Sequence, residues 1–238
     1  MTKLKYTLKS DTLFKMTFTR NQELLKRLVA ALLGIKYEDI TEFNIINPEI
    51  SPEELGKKFC RLDINMMVNG QKLDLELQIS DEGNYPERSL FYWAREYSTG
   101  IDEGQNYALL PRTIVISILG FNQFPDHEKF YHEFQCLEVT THEPLTDKMV
   151  LQFYELKKLP PLANTDSGRD LWLKLFNAET EEELAEIEKM RSKARHDEAQ
   201  ALRNAERRGE ERANTKWQSV AVENEQLKAK LAKLQVRC

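Results

Sequence analysis

Asp63 and Glu76 are the two side chains of this sequence whose type and spacing best suit chemistry. They lie in the stretch FCRLDINMMV-NG-QKLDLELQIS, residues 59–80, where Asn69-Gly70 separates two alternating runs. Asn-Gly between such runs is the strongest short-range hairpin signal. With Asn69 and Gly70 as the two turn residues, Val68 faces Gln71, Asn65 faces Asp74, Asp63 faces Glu76 and Arg61 faces Gln78. The alternation puts Cys60, Leu62, Ile64, Met66, Val68, Leu73, Leu75, Leu77 and Ile79 on one face. Arg61, Asp63, Asn65, Asp74, Glu76 and Gln78 take the other. Counting outward from a bonded Val68–Gln71 pair makes Asp63–Glu76 a non-hydrogen-bonded pair, with Cα atoms about 4.5 Å apart. Two carboxylates so placed repel by a few tenths to about 1 kcal/mol at an exposed site, so a cation belongs beside them. Arg61 is the nearest candidate within the hairpin, and a hard divalent cation is the other. Mg²⁺ takes one or two carboxylates plus waters and substrate phosphates. Held there it can acidify a bound water and stabilise charge on phosphoryl oxygens, the needs of phosphodiester hydrolysis. Gln78, on the same face, can orient water or a phosphate oxygen but carries no charge. Lys15 or Arg61 can fill that need. The bland alternative is an acidic solvent face on an ordinary hairpin.

The surrounding elements must position these groups. Residues 11–33 read as helical, with Phe14 and Phe18 four apart, a stripe of Leu24, Leu25, Leu28 and Leu32, and Gly34 as the stop. FNIIN (43–47) reads as a short strand. A helix follows with Pro86 in its first turn, and Leu90, Phe91, Trp93, Ala94 and Tyr97 suit its buried face. RTIVISIL (112–119) is a continuous apolar strand of a buried sheet. Residues 130–140 and 149–156 read as two further strands, and 168–177 as a short helix.

From residue 178 the composition shifts: residues 178–238 hold no Phe, Tyr or Pro and are dense in Glu, Lys, Arg and Ala. The expected division is therefore 1–177 and 178–238. Trp217, Val220, Asn224, Leu227, Leu231 and Leu234 alternate at spacings of three and four. That is an a/d seam from about residue 214 with Asn224 at an a position, which favours a parallel homodimer in register. One solvated helix packing on the body is the alternative.

The chain has 238 residues and a formal net charge of -5. Its length suits one domain with an appendage, and its charge argues against a broad basic surface. It has no apolar run of membrane-spanning length, and its N-terminus lacks the apolar stretch of a secretory signal. Cys60, Cys136 and Cys238 are far apart with no CxxC, which fits a reducing cytoplasm. His127 and His132 are five apart, which does not place two ligands on one helix face, so zinc is not indicated. No Gly-rich phosphate loop and no Ser/His/Asp arrangement is readable. Arg88, Tyr92 and Arg95 share one helix face, where they contact phosphates and bases or pair with surface acids.

Asp63 followed on the next strand by Glu76-x-Gln78 resembles the D…(D/E)-x-K core of the PD-(D/E)XK nuclease superfamily, with Gln in the lysine place and Leu62 where a proline is usual. The opening DTLFKMTF (Asp11, Phe14, Lys15, Phe18) is similar to the D-x-x-F-K-x-x-F start of the recombination-promoting nuclease / putative transposase family. So are LDINMMVNGQKLDLELQ, SLFYWAREYSTGI (89–101), RTIVISILGF (112–121) and, in the tail, DEAQALRNAERRGEER (197–212). The resemblance implies an α/β fold, a PD-(D/E)XK-like mixed central sheet flanked by helices, with a C-terminal helical or coiled-coil extension. It implies a Mg²⁺-dependent (or Mn²⁺-dependent) endonuclease of a bacterial cytoplasm, acting on double-stranded DNA in recombination or transposition. By position, Asp63, Glu76 and the Leu77 carbonyl would hold the metal, and Gln78 would stand for the lysine. Asp11 and Lys15 would line the site, their plain alternatives being a helix cap and a solvated lysine. Apart from the resemblance, the shared helix face of Arg88, Tyr92 and Arg95, with Arg61 on the hairpin, is the expected DNA contact. A rival reading is a nuclease-like fold without catalysis that assembles with partners through its tail. Gln78, Leu62 and the acidic balance favour it.

Overall fold

The computed structural model describes residues 2–4, 7–46, 64–162 and 168–193. Contacts divide the chain into two compact units, Met1–Ile187 and Glu188–Cys238. Residues 214–238, with the expected dimer seam, lie outside the described residues, as do Arg61 and Asp63.

The first unit is built on a six-stranded sheet in the order β1-β2-β3-β4-β6-β5. Its strands are β1 (Phe43–Ile46), β2 (Ile64–Val68), β3 (Gln71–Gln78), β4 (Thr113–Leu119), β5 (Tyr131–Phe134) and β6 (Met149–Glu155). The first three pair antiparallel, β3-β4-β6 run parallel, and β5 returns antiparallel to β6. The change from antiparallel to parallel falls at β3, so the strand that carries Glu76 is central and both its edges are paired.

The segment read as helical over 11–33 is two helices, α1 (Asp11–Arg20) and α2 (Gln22–Leu33). Asn21 divides them: its side chain accepts from the Leu24 backbone N–H at 3.0 Å, capping the second helix where the first ends. Gly34 closes α2 with φ 69°, the left-handed geometry that suits glycine. Both helices pack their apolar sides on one face of the sheet, with α4 (Gly168–Asn177). Phe14, Phe18, Leu25, Leu28, Trp172 and Phe176 there meet Leu73, Leu75, Leu77, Ile114, Ile116 and Ile118. Phe18 and Phe176 stack at 5.8 Å, and the Tyr154 hydroxyl donates to the Leu32 carbonyl at 2.9 Å, tying α2 to β6.

The other face is covered by α3 (Tyr85–Ser98), over a smaller core of Tyr85, Val115, Leu119, Phe121, Leu151 and Phe153. The buried side of α3 differs from the expected one. Leu90 and Phe91 are 45% and 48% exposed and Ala94 is exposed, while Tyr85, Ser89 and Glu96 are buried. Trp93 and Tyr97 are half-buried. The physical reason is the surface beneath. This face of β3 carries Lys72, Asp74 and Glu76, so a helix crossing it needs small and polar groups, not leucines. Lys72 Nζ accordingly donates to the Glu96 carbonyl and the Thr99 hydroxyl, both at 2.8 Å.

Of the expected strand 130–140, only Tyr131–Phe134 pairs with β6. Beyond it a single bridge, Leu137 to Pro144, closes a loop. Glu155, wholly buried at the end of β6, accepts from Lys158 Nζ at 2.7 Å and the Phe124 backbone N–H at 3.0 Å, fixing the loop after β4. A last described helix, α5 (181–193), opens on a reciprocal cap. The Glu183 N–H donates to Thr180 Oγ1 and the Thr180 N–H to Glu183 Oε2, each at 3.2 Å. Ala178 and Ile187 are buried, and Thr180 bridges Lys3. Residues 178–187 therefore pack with the first unit.

Candidate active site

The hairpin turns where the sequence places it. Asn69 has φ 49° and Gly70 φ 73°, the paired left-handed residues of a type I′ turn. Asn69 also fastens the turn to the chain before β1: its Oδ1 accepts from the Thr41 and Glu42 N–H groups at 3.0 and 3.1 Å, and its Nδ2 donates to the Asp39 carbonyl at 2.8 Å. The register is Val68 to Gln71, Asn65 to Asp74 and Ile64 to Leu75.

Glu76 is 5% exposed, Asp74 1% and Asn65 3%. The acidic face of the hairpin is therefore an interior surface, covered by α3, and the solvent-face alternative is excluded. Across the parallel ladder Glu76 aligns with Ser117, a hydroxyl in the middle of apolar β4. Above them sits Tyr85. Burial, then the negative charge of Glu76, push its phenol well above the usual range, with Asp74 adding to this and Ser117 and Arg88 opposing it. The Tyr85 hydroxyl is thus a neutral group placed among two carboxylates.

Gln78 ends β3 and is held at both ends of its amide. Nε2 donates to the Ser80 carbonyl at 2.7 Å, and Oε1 accepts from Arg88 Nη2. The Arg88 guanidinium also lies over the Tyr85 ring at 4.8 Å and reaches Glu82 Oε2 at 3.1 Å. Tyr92, one turn on, has its ring 5.9 Å from the same guanidinium, and Arg95 follows, half-buried. The structure thus gathers Glu76, Gln78 and Arg88 around Tyr85. Asp11 and Lys15 pair with each other at 3.1 Å on α1, whose phenylalanines pack on the opposite sheet face. The Leu77 side chain is buried in that same opposite core.

The oxygens near Glu76 suit a hard cation. Asn65 Oδ1, Ser117 Oγ and the Tyr85 hydroxyl are buried, the last two facing each other. Beside a buried carboxylate, such oxygens fit an ion that keeps part of its water shell. No cluster of three His, Cys, Asp or Glu side chains occurs among the described residues, so the completeness of a ligand set turns on Asp63. Sequence reasoning missed Tyr85 and Ser117. Ser117 did leave a signal, as the lone hydroxyl inside IVISIL. Tyr85, one residue before a helical proline, left none.

A mixed sheet with helices on both faces, and an acidic residue on the strand where pairing changes from antiparallel to parallel, is the α/β architecture that the motifs implied. The model of the PD-(D/E)XK nuclease family transposases matches residues 8–232, and the chain belongs to that family. No curated protein and no solved structure matches it. Among the described residues no helix is long and apolar enough to cross a membrane.

Proposed function

We propose that this chain is a divalent-metal-dependent endonuclease that hydrolyses phosphodiester bonds of double-stranded DNA, in the service of recombination or transposition. One observation carries the reading. Glu76 is buried on the polar face of β3, next to the last described pair of the hairpin, Ile64 with Leu75; the alternation of the sequence assigns Asp63 to the position across from it. A carboxylate kept out of water without purpose is costly. Beside a second acid it is an inner-sphere ligand in waiting.

In this reading Asp63, Glu76 and the Leu77 carbonyl hold the cation, Mg²⁺ or Mn²⁺. Once bound, such an ion supplies a water of lowered pKa and draws charge from the phosphoryl oxygens. The chain's own residues do the rest. Gln78, clamped by Ser80 and Arg88, presents a fixed amide to the reacting phosphate. Tyr85 keeps its proton at neutral pH and so serves as a donor in the pocket. Arg61, Arg88, Tyr92 and Arg95 are assigned to the DNA backbone, and Asp11 and Lys15 to the lining of the site by their match to the family's opening motif. The tail from about residue 214 is assigned to a homodimer, which suits cutting both strands, and the protein to the cytoplasm of a bacterium.

The test is nicking of supercoiled plasmid with and without Mg²⁺, against Asp63→Ala and Glu76→Ala. Loss of one ligand should abolish cleavage to background. Parental rates in both variants overturn the assignment.

A further inference from the structure

The Glu76-x-Gln78 motif has an amide in the place of the PD-(D/E)XK superfamily's lysine, and an amide cannot carry charge. The structure nevertheless brings a cation to that spot, from another element. Arg88, on the first turn of α3, donates through Nη2 to Gln78 Oε1. The Ser80 carbonyl takes the donor end of the same amide at 2.7 Å, which sets its polarity and leaves the acceptor end for the guanidinium. The Tyr85 ring lies against the guanidinium at 4.8 Å, and the Tyr85 hydroxyl senses both Glu76 and Arg88. Arg88 also forms an ion pair with Glu82, whose side chain is 59% exposed. A surface carboxylate of this kind holds an arginine weakly. Arg88 Nε is buried and has no acceptor among the described residues.

Resting on the nuclease reading above, we infer that Arg88, aimed by Gln78, is the catalytic cation of this site and binds a non-bridging oxygen of the scissile phosphate. A guanidinium suits the task because its planar fork can keep one N–H on the Gln78 amide while others turn to the phosphate. Exchange of the exposed Glu82 for a phosphate frees Nη1 at little cost. The charge then sits at Gln78, two residues past Glu76 on β3, to meet the negative charge that grows as the phosphate is attacked. The pairing divides between two residues the work a single lysine would do: Gln78 fixes the place and Arg88 supplies the charge.

The experiment uses the full chain and four variants: Arg88→Ala, Arg88→Lys, Gln78→Lys, and Gln78→Lys combined with Arg88→Ala. In plasmid nicking, Arg88→Ala should lower kcat about 100-fold or more, the usual effect of removing one transition-state donor, with KM changed far less. Arg88→Lys should keep part of the rate. The double variant, which restores a cation on β3, should recover at least about tenfold over Arg88→Ala. A structural tie between hairpin and helix would not be rescued this way. Parental kcat in Arg88→Ala, or a double variant no faster than Arg88→Ala with an unchanged thermal midpoint, overturns the inference. If Glu76→Ala is inert while Arg88→Ala is fully active, only this inference fails. If Glu76→Ala cuts like the parent, the nuclease site itself is wrong. A second readout needs no turnover: metal-free binding to a short fluorescent duplex across a salt series. Arg88→Ala should reduce the slope of log K against log salt by about one, and Arg88→Lys should keep it. An unchanged slope in Arg88→Ala also overturns the inference.

Discussion

The Gly120 backbone N–H donates to the Gln78 carbonyl at 2.9 Å, joining the ends of β3 and β4 at the rim of the candidate site. A Cβ on Gly120 would lie 2.9 Å from the Ile79 carbonyl oxygen and 3.0 Å from Ile79 Cα. Both are backbone atoms, just past the end of β3, and cannot swing aside as a side chain would. Gly120→Ala should therefore cost about 1–3 kcal/mol in urea unfolding. It should also slow plasmid nicking where the protein is still folded, because the displaced segment is the one that holds Gln78. A variant with parental stability and rate would show that the contact carries no weight.

Metal binding can be read without cleavage. Glu76 is a buried acid, and its repulsion with neighbouring acids is relieved by a bound cation. The thermal midpoint of metal-stripped protein should rise on adding millimolar Mg²⁺, by the equivalent of about 1.4 kcal/mol at ten times Kd. Glu76→Gln should remove that rise. A parent that is insensitive to Mg²⁺ and Mn²⁺ counts against the ligand assignment.

Alkaline stability should report on the phenols. Burial raises the pKa of Tyr85, and likewise that of Tyr154. In the unfolded chain these groups lose protons near pH 10, while the folded chain keeps them to higher pH. Above about pH 10 the unfolded state therefore binds fewer protons, so stability is whole below that point and falls as pH rises toward the folded values. Lys72 acts in the opposite sense, because burial lowers its ammonium while Glu96 raises it. The clean comparison is Tyr85→Phe against the parent from about pH 8 to 11. The variant should lose midpoint less steeply, and equal slopes would reject the assignment.

The turn should be sensitive at Asn69. Asn69→Ala removes a side chain that satisfies the N–H groups of Thr41 and Glu42, and forces alanine into φ 49°. The two effects together should destabilise by about 1–3 kcal/mol, seen as an earlier denaturation midpoint. Asn69→Gly, which relieves the strain but not the lost bonds, should fall between.

In the assigned dimer seam, Leu231→Lys should turn a dimer into a monomer by light scattering, since a charge at that position opposes the seam. A monomeric parent would end that assignment.

The hairpin and its register were legible because Asn-Gly and strict alternation are local signals, set within a few residues of one another. The apolar face of α2 and continuous β4 were legible for the same reason. The inner side of α3 was not. Its periodicity was matched to an apolar partner surface, whereas the sheet beneath is acidic, and only the assembled sheet reveals that. Asn21 reads as one polar residue in a helical stripe until its side chain is seen capping Leu24. The meeting of Gln78 and Arg88 spans a loop between strand and helix and leaves no periodic trace. Neither does the shortness of β5, where pairing stops after Phe134 although the apolar pattern runs on.

Strand β3 carries Leu73, Leu75 and Leu77 on one side and Asp74 and Glu76 on the other, and both sides are covered. Sliding the hairpin by one residue would drive two acids into the phenylalanines of α1 and α4, and strand three leucines among polar oxygens. Burying a carboxylate in hydrocarbon costs several kcal/mol. A misaligned hairpin would present each covering layer with the wrong chemistry. The alternation of acids and leucines along β3 thus permits one alignment of the hairpin and penalises its neighbours.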